Sequence, residues 1–130
     1  MASHIPATIL VIDDEPSVLR ALTGLLRRDG YRVGTASNGQ HALTQLQEQP
    51  YDVILCDLHM PELDGPAFYA ILARHYPALR QRVIFLTGDT LGVANRMFLT
   101  QSGCPWLRKP CPIATIRRAI QQVLQASPYA

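Results

Sequence analysis

Short apolar runs recur along this chain at intervals that leave room for one helix between each pair. Ile9-Leu10-Val11-Ile12, Val53-Ile54-Leu55-Cys56 and Val83-Ile84-Phe85-Leu86 are continuous and mostly β-branched or large, the pattern of strands covered on both faces. Tyr31 to Ala36 alternates instead, with Tyr31, Val33 and Thr35 set against Arg32, Gly34 and Ala36. Trp106-Leu107 is brief and bordered by prolines. These last two predict edge strands.

Helical spacing fills the intervals. Val18, Leu22, Leu25 and Leu26 form one stripe with Arg20, Arg27 and Arg28 opposite, and Gly30 stops it. Ala42, Leu43 and Leu46 mark a second helix, opened by Asn38-Gly39 and closed before Pro50. Phe68, Ile71 and Leu72 mark a third, ending before Pro77. Residues 91–102 are weakly amphipathic, with Val93, Met97 and Phe98 as the expected inner side and Gly103 as the stop. In the last helix Ile113, Ile116, Ile120, Val123 and Leu124 face one way and Arg117, Arg118 and Gln121 the other, with Pro112 suited to its first turn.

Strict alternation of strand and helix implies right-handed βαβ crossovers, hence an α/β fold: a single doubly wound (βα)5 domain. Its expected extent is residues 8–126, with a flexible N-terminus at 1–7 and a tail at 127–130. The 130 residues carry a net charge of +2 and 48% apolar residues, an ordinary globular composition with no basic-aromatic stripe for nucleic acid. The run Ile9–Ile12 is too short for a membrane segment and no basic leader precedes it, so a cytoplasmic location is the default expectation. Cys56, Cys104 and Cys111 lack metal-like spacing and read as reduced packing thiols.

The chemistry lies where the apolar runs stop. Asp13 and Asp14 end the first strand, Asp57 the third, Thr87 the fourth, and Lys109, the only lysine among twelve basic residues, the fifth. Parallel strands deliver all of them to one edge of the sheet, where a doubly wound domain carries its site. Three carboxylates gathered there repel one another unless a cation intervenes. Mg²⁺ suits the need because it is hard, prefers oxygen and keeps exchangeable waters; Mn²⁺ is the alternative ion. Lys109 can neutralise an arriving anion and Thr87 can donate a hydroxyl. The set suits transfer of a phosphoryl group onto Asp57 as in-line nucleophile, giving an acyl phosphate. The competing reading makes each residue a local cap or turn: Asp14 and Glu15 capping the first helix, Asp57 and Thr87 starting turns.

VIDDEP (11–16), DLHMPELDG (57–65), FLTGD (85–89) and LRKP (107–110) together resemble the receiver domains of two-component signalling, over about residues 8–125. The resemblance implies a flavodoxin-like parallel five-stranded sheet in the order 2-1-3-4-5. It implies a signalling domain rather than an enzyme, in which Asp57 is phosphorylated by a histidine kinase or a histidine phosphotransfer domain. Asp14, Asp57 and the His59 backbone carbonyl would hold Mg²⁺ directly and Asp13 through water. Thr87 and Lys109 would be drawn to the phosphoryl group, and Trp106 stands where the family often has a smaller aromatic switch. Lys109-Pro110 would be a cis peptide. His59 and Asp89 flank the position where phosphoryl lifetime is tuned. The surface formed by residues 91–125 is expected to change and to bind a downstream protein or a second copy. The stretch 83–110 looks most like receivers of hybrid sensor histidine kinases, with a stand-alone receiver as the other origin. Since little follows the fifth helix, no output domain is expected. Two rivals remain: a haloacid-dehalogenase-like phosphohydrolase, which needs an aspartate where His59 stands, and a degenerate receiver that only mediates protein contacts.

Overall fold

A computed structural model describes residues 6–88 and 92–126, so the outermost terminal residues and Asp89, Thr90 and Leu91 lie outside the described residues. Among the described residues five strands, β1 (Thr8–Ile12), β2 (Arg32–Ala36), β3 (Val53–Asp57), β4 (Val83–Thr87) and β5 (Trp106–Arg108), alternate with five α-helices. The helices are α1 (Pro16–Arg28), α2 (Gly39–Glu48), α3 (Gly65–His75), α4 (Val93–Ser102) and α5 (Ile113–Gln125). Every pairing is parallel and the order is β2-β1-β3-β4-β5, the flavodoxin-like doubly wound sheet expected from the chain.

The continuous apolar runs follow from the sheet having two covered faces. Leu10, Ile12, Ile54, Cys56, Val83 and Phe85 point to one side and pack with Ala42 and Leu46 of α2, Phe68 and Leu72 of α3 and Leu99 of α4. Ile9, Val11, Val53, Leu55, Ile84 and Leu86 point to the other and meet Leu22 and Leu26 of α1 and Ile116, Ile120 and Val123 of α5. Neighbours in sequence therefore serve opposite cores, and once Thr8 has opened β1 no position in β1, β3 or β4 is polar until the strand ends. Positive φ is needed after two helices, at Gly30 and Gly103, where glycine takes the left-handed conformation without a Cβ penalty.

Two inner faces differ from the sequence reading. In α3, Tyr69 is buried beside Phe68 and Leu72, while Ile71 is only half-buried. In α4 the expected inner residues Val93 and Met97 are 76% and 56% exposed. The face turned inward is Asn95, Phe98, Leu99 and Ser102, a regular i, i+3, i+4, i+7 stripe with polar residues at its ends. Phe98 locks this face edge-to-face against Tyr69 and Phe85, with ring centroids 5.6 and 5.2 Å away. Phe98 lies inside as expected, but apolarity placed Val93 and Met97 beside it because the true stripe is half polar. α5 begins after an extended Pro112 at its N-cap, and among the described residues no helix is long and apolar enough to cross a membrane.

Candidate functional site

Strand register builds the site. Ile12 lies opposite Cys56, so the residues that follow, Asp13 and Asp57, leave the sheet side by side at the carboxyl end. Asp57 lies opposite Leu86 and Thr87 opposite Arg108, which sets Thr87 and then Lys109 one step further out along the same edge. Backbone hydrogen bonds continue the ladder past the strand ends: Leu58 N–H donates to the Leu86 carbonyl at 2.9 Å, Asp13 N–H to Ala36 at 3.1 Å and Lys109 N–H to Thr87 at 2.6 Å. The loops are thus held by the sheet.

One carboxylate oxygen from each of Asp13, Asp14 and Asp57 lies within 4.8 Å of the others. Asp13 and Asp57 are buried and Asp14 is exposed. The Lys109 ammonium donates to Asp13 Oδ2 at 2.7 Å and stands 3.5 Å from Asp57 Oδ2. Asp13 also accepts the Glu15 N–H through Oδ1, and Asp57 accepts the His59 N–H through Oδ1 at 3.3 Å. The helix-capping alternative for Asp14 and Glu15 is not what the chain does: Glu15 stands at the N-cap position before α1, and no side chain makes a capping hydrogen bond there. Three hard oxygen donors against a single ammonium leave net negative charge, and such a set fits a small divalent cation.

Burial pushes the Asp57 carboxyl above its ordinary value; the Lys109 charge and the His59 N–H pull it down, and Asp13 and Asp14 push it up. For Lys109 burial acts downward, but its hydrogen bond to Asp13 and the charges of Asp57 and Asp13 outweigh it, so the ammonium is held more tightly than in water. Behind the site the Cys56 thiol, fully buried, donates to the Asp57 carbonyl at 3.3 Å, and burial with the nearby aspartates raises its pKa strongly. It stays a protonated packing group.

The remaining expected positions fall as follows. The Thr87 side chain is buried and its hydroxyl donates to the Gly88 carbonyl at 3.1 Å. Lys109-Pro110 is a cis peptide bond. The His59 side chain is exposed, Trp106 is 41% exposed on the outer strand, and Asp89 is outside the described residues. One positioning residue escaped the sequence reading. A Cβ on Gly65 would come within 3.0 Å of Leu58 Cα, 3.1 Å of the Leu58 carbonyl and 3.2 Å of the Asp57 carbonyl. Its N–H donates to Leu58, so the start of α3 is pressed against the loop that carries Asp57. The signal available in sequence was Asp64-Gly65 before Pro66, legible as a helix cap but not as a close backbone approach.

Residues 9–121 match the response regulator receiver domain family. The transcriptional regulatory protein GlrR of Escherichia coli (strain K12) is 33% identical over 126 residues, which make up 96% of this chain and 28% of that protein. Chemotaxis protein CheY4 of Vibrio cholerae has the same fold with a TM-score of 0.82 at 27% identity, over 92% of this chain and 100% of that one. The signal receiver domain of a histidine kinase from Syntrophus aciditrophicus gives 0.81 at 28% identity, over 91% of this chain and 89% of that one. The chain thus spans little more than a quarter of GlrR.

Proposed function

The chain belongs to the response regulator receiver family, and from that premise we propose that Asp57 is its phosphoacceptor. A receiver is a signalling domain of two-component systems and not a classical enzyme. The observation that carries the assignment is the convergence of three carboxylates and one ammonium at a single sheet edge, with Asp57 buried and next to Lys109. The donor is a phosphohistidine on a histidine kinase or a histidine phosphotransfer domain. A carboxylate oxygen of Asp57 attacks phosphorus, the O–P bond forms as the N–P bond breaks, and the histidine nitrogen leaves with the electron pair and takes a proton.

Asp14 and Asp57, with the His59 carbonyl, would hold Mg²⁺, and Asp13 would reach it through water. Bound there, the ion would neutralise phosphoryl oxygens in the loose transition state. Lys109 supplies the second positive charge, held in place by Asp13. Phosphorylation adds about one negative charge at Asp57. That charge competes for Lys109 and for the Thr87 hydroxyl, which among the described residues donates to the adjacent Gly88 carbonyl. Both loops then shift, and Trp106 with them. His59 and Asp89 would tune the lifetime of the acyl phosphate. The output surface is the face formed by residues 91–125, where Val93, Met97 and Trp106 are the large exposed apolar side chains among the described residues. A downstream protein or a second copy binds there. The domain, residues 8–126, is read as the receiver of a hybrid sensor kinase or a stand-alone receiver.

Incubation with Mg²⁺ and acetyl phosphate, or with a phosphorylated kinase, tests the assignment by intact mass. The expected product carries one hydroxylamine-labile phosphoryl group that Asp57→Asn lacks. An acid-stable adduct, or none, would favour a contact-only receiver, and sustained phosphate release from small esters would favour a phosphohydrolase.

A further inference from the structure

A second charged groove lies on the opposite flank of α1, away from the acidic cluster. It runs between α1 and the outer strand β2, has a volume of about 520 Å³, and is lined by Arg20, Thr23, Gly24, Arg27, Val33 and Thr35 with two further α1 residues. Among the described residues neither Arg20 nor Arg27 has a carboxylate partner; the ion pairs involve Lys109 and Arg117. The two arginines are seven positions apart, so their Cα atoms are about 10.5 Å apart on one helix flank. Between them stands Gly24, inside the helix, where an added Cβ would meet nothing within 4 Å. Packing within the chain therefore does not require glycine there, although it weakens a helix. Beside it the Thr23 hydroxyl oxygen is buried without a hydrogen-bond partner.

The wall facing α1 is a sheet edge. Arg32 N–H donates inward to the Ala7 carbonyl, so by alternation the amides of Val33 and Thr35 point outward from β2, beyond which no strand lies among the described residues. Open edges template added strands, and arginines along them repel a second copy of the same cationic edge.

We propose that the β2 edge and the α1 flank together bind an acidic extended segment of another protein by strand addition. Its backbone pairs with Val33 and Thr35. Its acidic side chains, about 6.7 Å apart on one face, reach Arg20 and Arg27 across the notch left by Gly24. This site is separate from the phosphoacceptor and does not rest on that reading.

The test uses the full 130-residue chain and a blocked peptide of alternating glutamate and valine, followed by amide NMR. Expected are shifts along β2, hydrogen exchange at Val33 and Thr35 slowed about tenfold, and affinity falling with added salt. Arg20→Glu with Arg27→Glu should weaken binding roughly tenfold or more. Gly24→Leu should block the groove without lowering the melting temperature, since the position is open and leucine favours helix. A lysine-valine peptide binding as well, shifts without protection of Val33 and Thr35, equal shifts from tripolyphosphate alone, or no binding would each overturn the proposal.

Discussion

Lys109→Met isolates the electrostatics of the acidic cluster. The ammonium lies 2.7 Å from Asp13 and 3.5 Å from Asp57. At an effective dielectric constant of about 20 these contacts amount to roughly 6 and 5 kcal/mol of attraction before desolvation. Desolvation of the partly buried ammonium takes back much of that, and breaking a buried pair by removing one partner typically costs about 3 kcal/mol or more. The substitution leaves Asp13 without its cation and places three carboxylates within 4.8 Å of one another uncompensated. A loss of about 3 kcal/mol at pH 7 in EDTA is expected, or about 10 °C in melting temperature for a domain of this size. Methionine keeps the apolar stem, so the loss reports charge and not packing. At pH 5 the loss should shrink, because Asp57, whose carboxyl burial already holds above its ordinary value, takes up a proton more readily once the ammonium is gone, and Mg²⁺ should shrink it at pH 7. Calorimetry at both pH values, with and without Mg²⁺, measures this. A drop below about 2 °C at pH 7, or a loss indifferent to pH and Mg²⁺, would refute the reasoning.

Other substitutions probe the neighbouring links. Burial raises the Asp57 pKa in the fold, so the native state binds that proton more tightly than the unfolded chain. Its contribution to stability is then greatest below the unfolded value of about 3.9 and declines as pH rises through the higher folded value. Asp57→Asn should remove that decline and melt higher than wild type at pH 7 in EDTA; an unchanged pH profile would contradict the burial argument. Mg²⁺ at ten times its dissociation constant should stabilise the wild type by about 1.4 kcal/mol, and Asp14→Asn should abolish most of that shift in a thermal titration. Gly65→Ala should cost about 1–3 kcal/mol, because its methyl meets the backbone of Asp57 and Leu58. Slower phosphorylation by acetyl phosphate should accompany it, and an unaltered rate would show that the contact does not position Asp57.

Legibility in the sequence tracked how strictly each position was constrained. β1, β3 and β4 were readable because both faces of the sheet are covered, so no polar residue interrupts them before the strand ends. For the same reason the polar residues at those ends stood out as site candidates. α4 was misread because it turns inward with Asn95 and Ser102 flanking Phe98 and Leu99, while the more apolar Val93 and Met97 face outward. A helix that covers the sheet with one short stripe leaves apolar residues on its other side, and hydrophobicity alone cannot choose between the two sides. α3 shows the same effect more weakly, with Tyr69 inside where Ile71 was expected.

By itself the chain determined the alternation of elements and which residue types stand at the strand ends, because both depend on local periodicity. Periodicity and residue type do not separate Asp13 from Asp14, which are adjacent and chemically identical; only the family resemblance gives them unequal roles, as a water-mediated and a direct metal ligand. Tertiary structure decided that Asp13 is buried against Lys109 while Asp14 is exposed, since only the pairing of Ile12 with Cys56 fixes which carboxylate faces the far end of the sheet. It also decided that Gly65 must be small, because that requirement comes from the backbone of β3 and its loop, which only the folded chain brings against the start of α3.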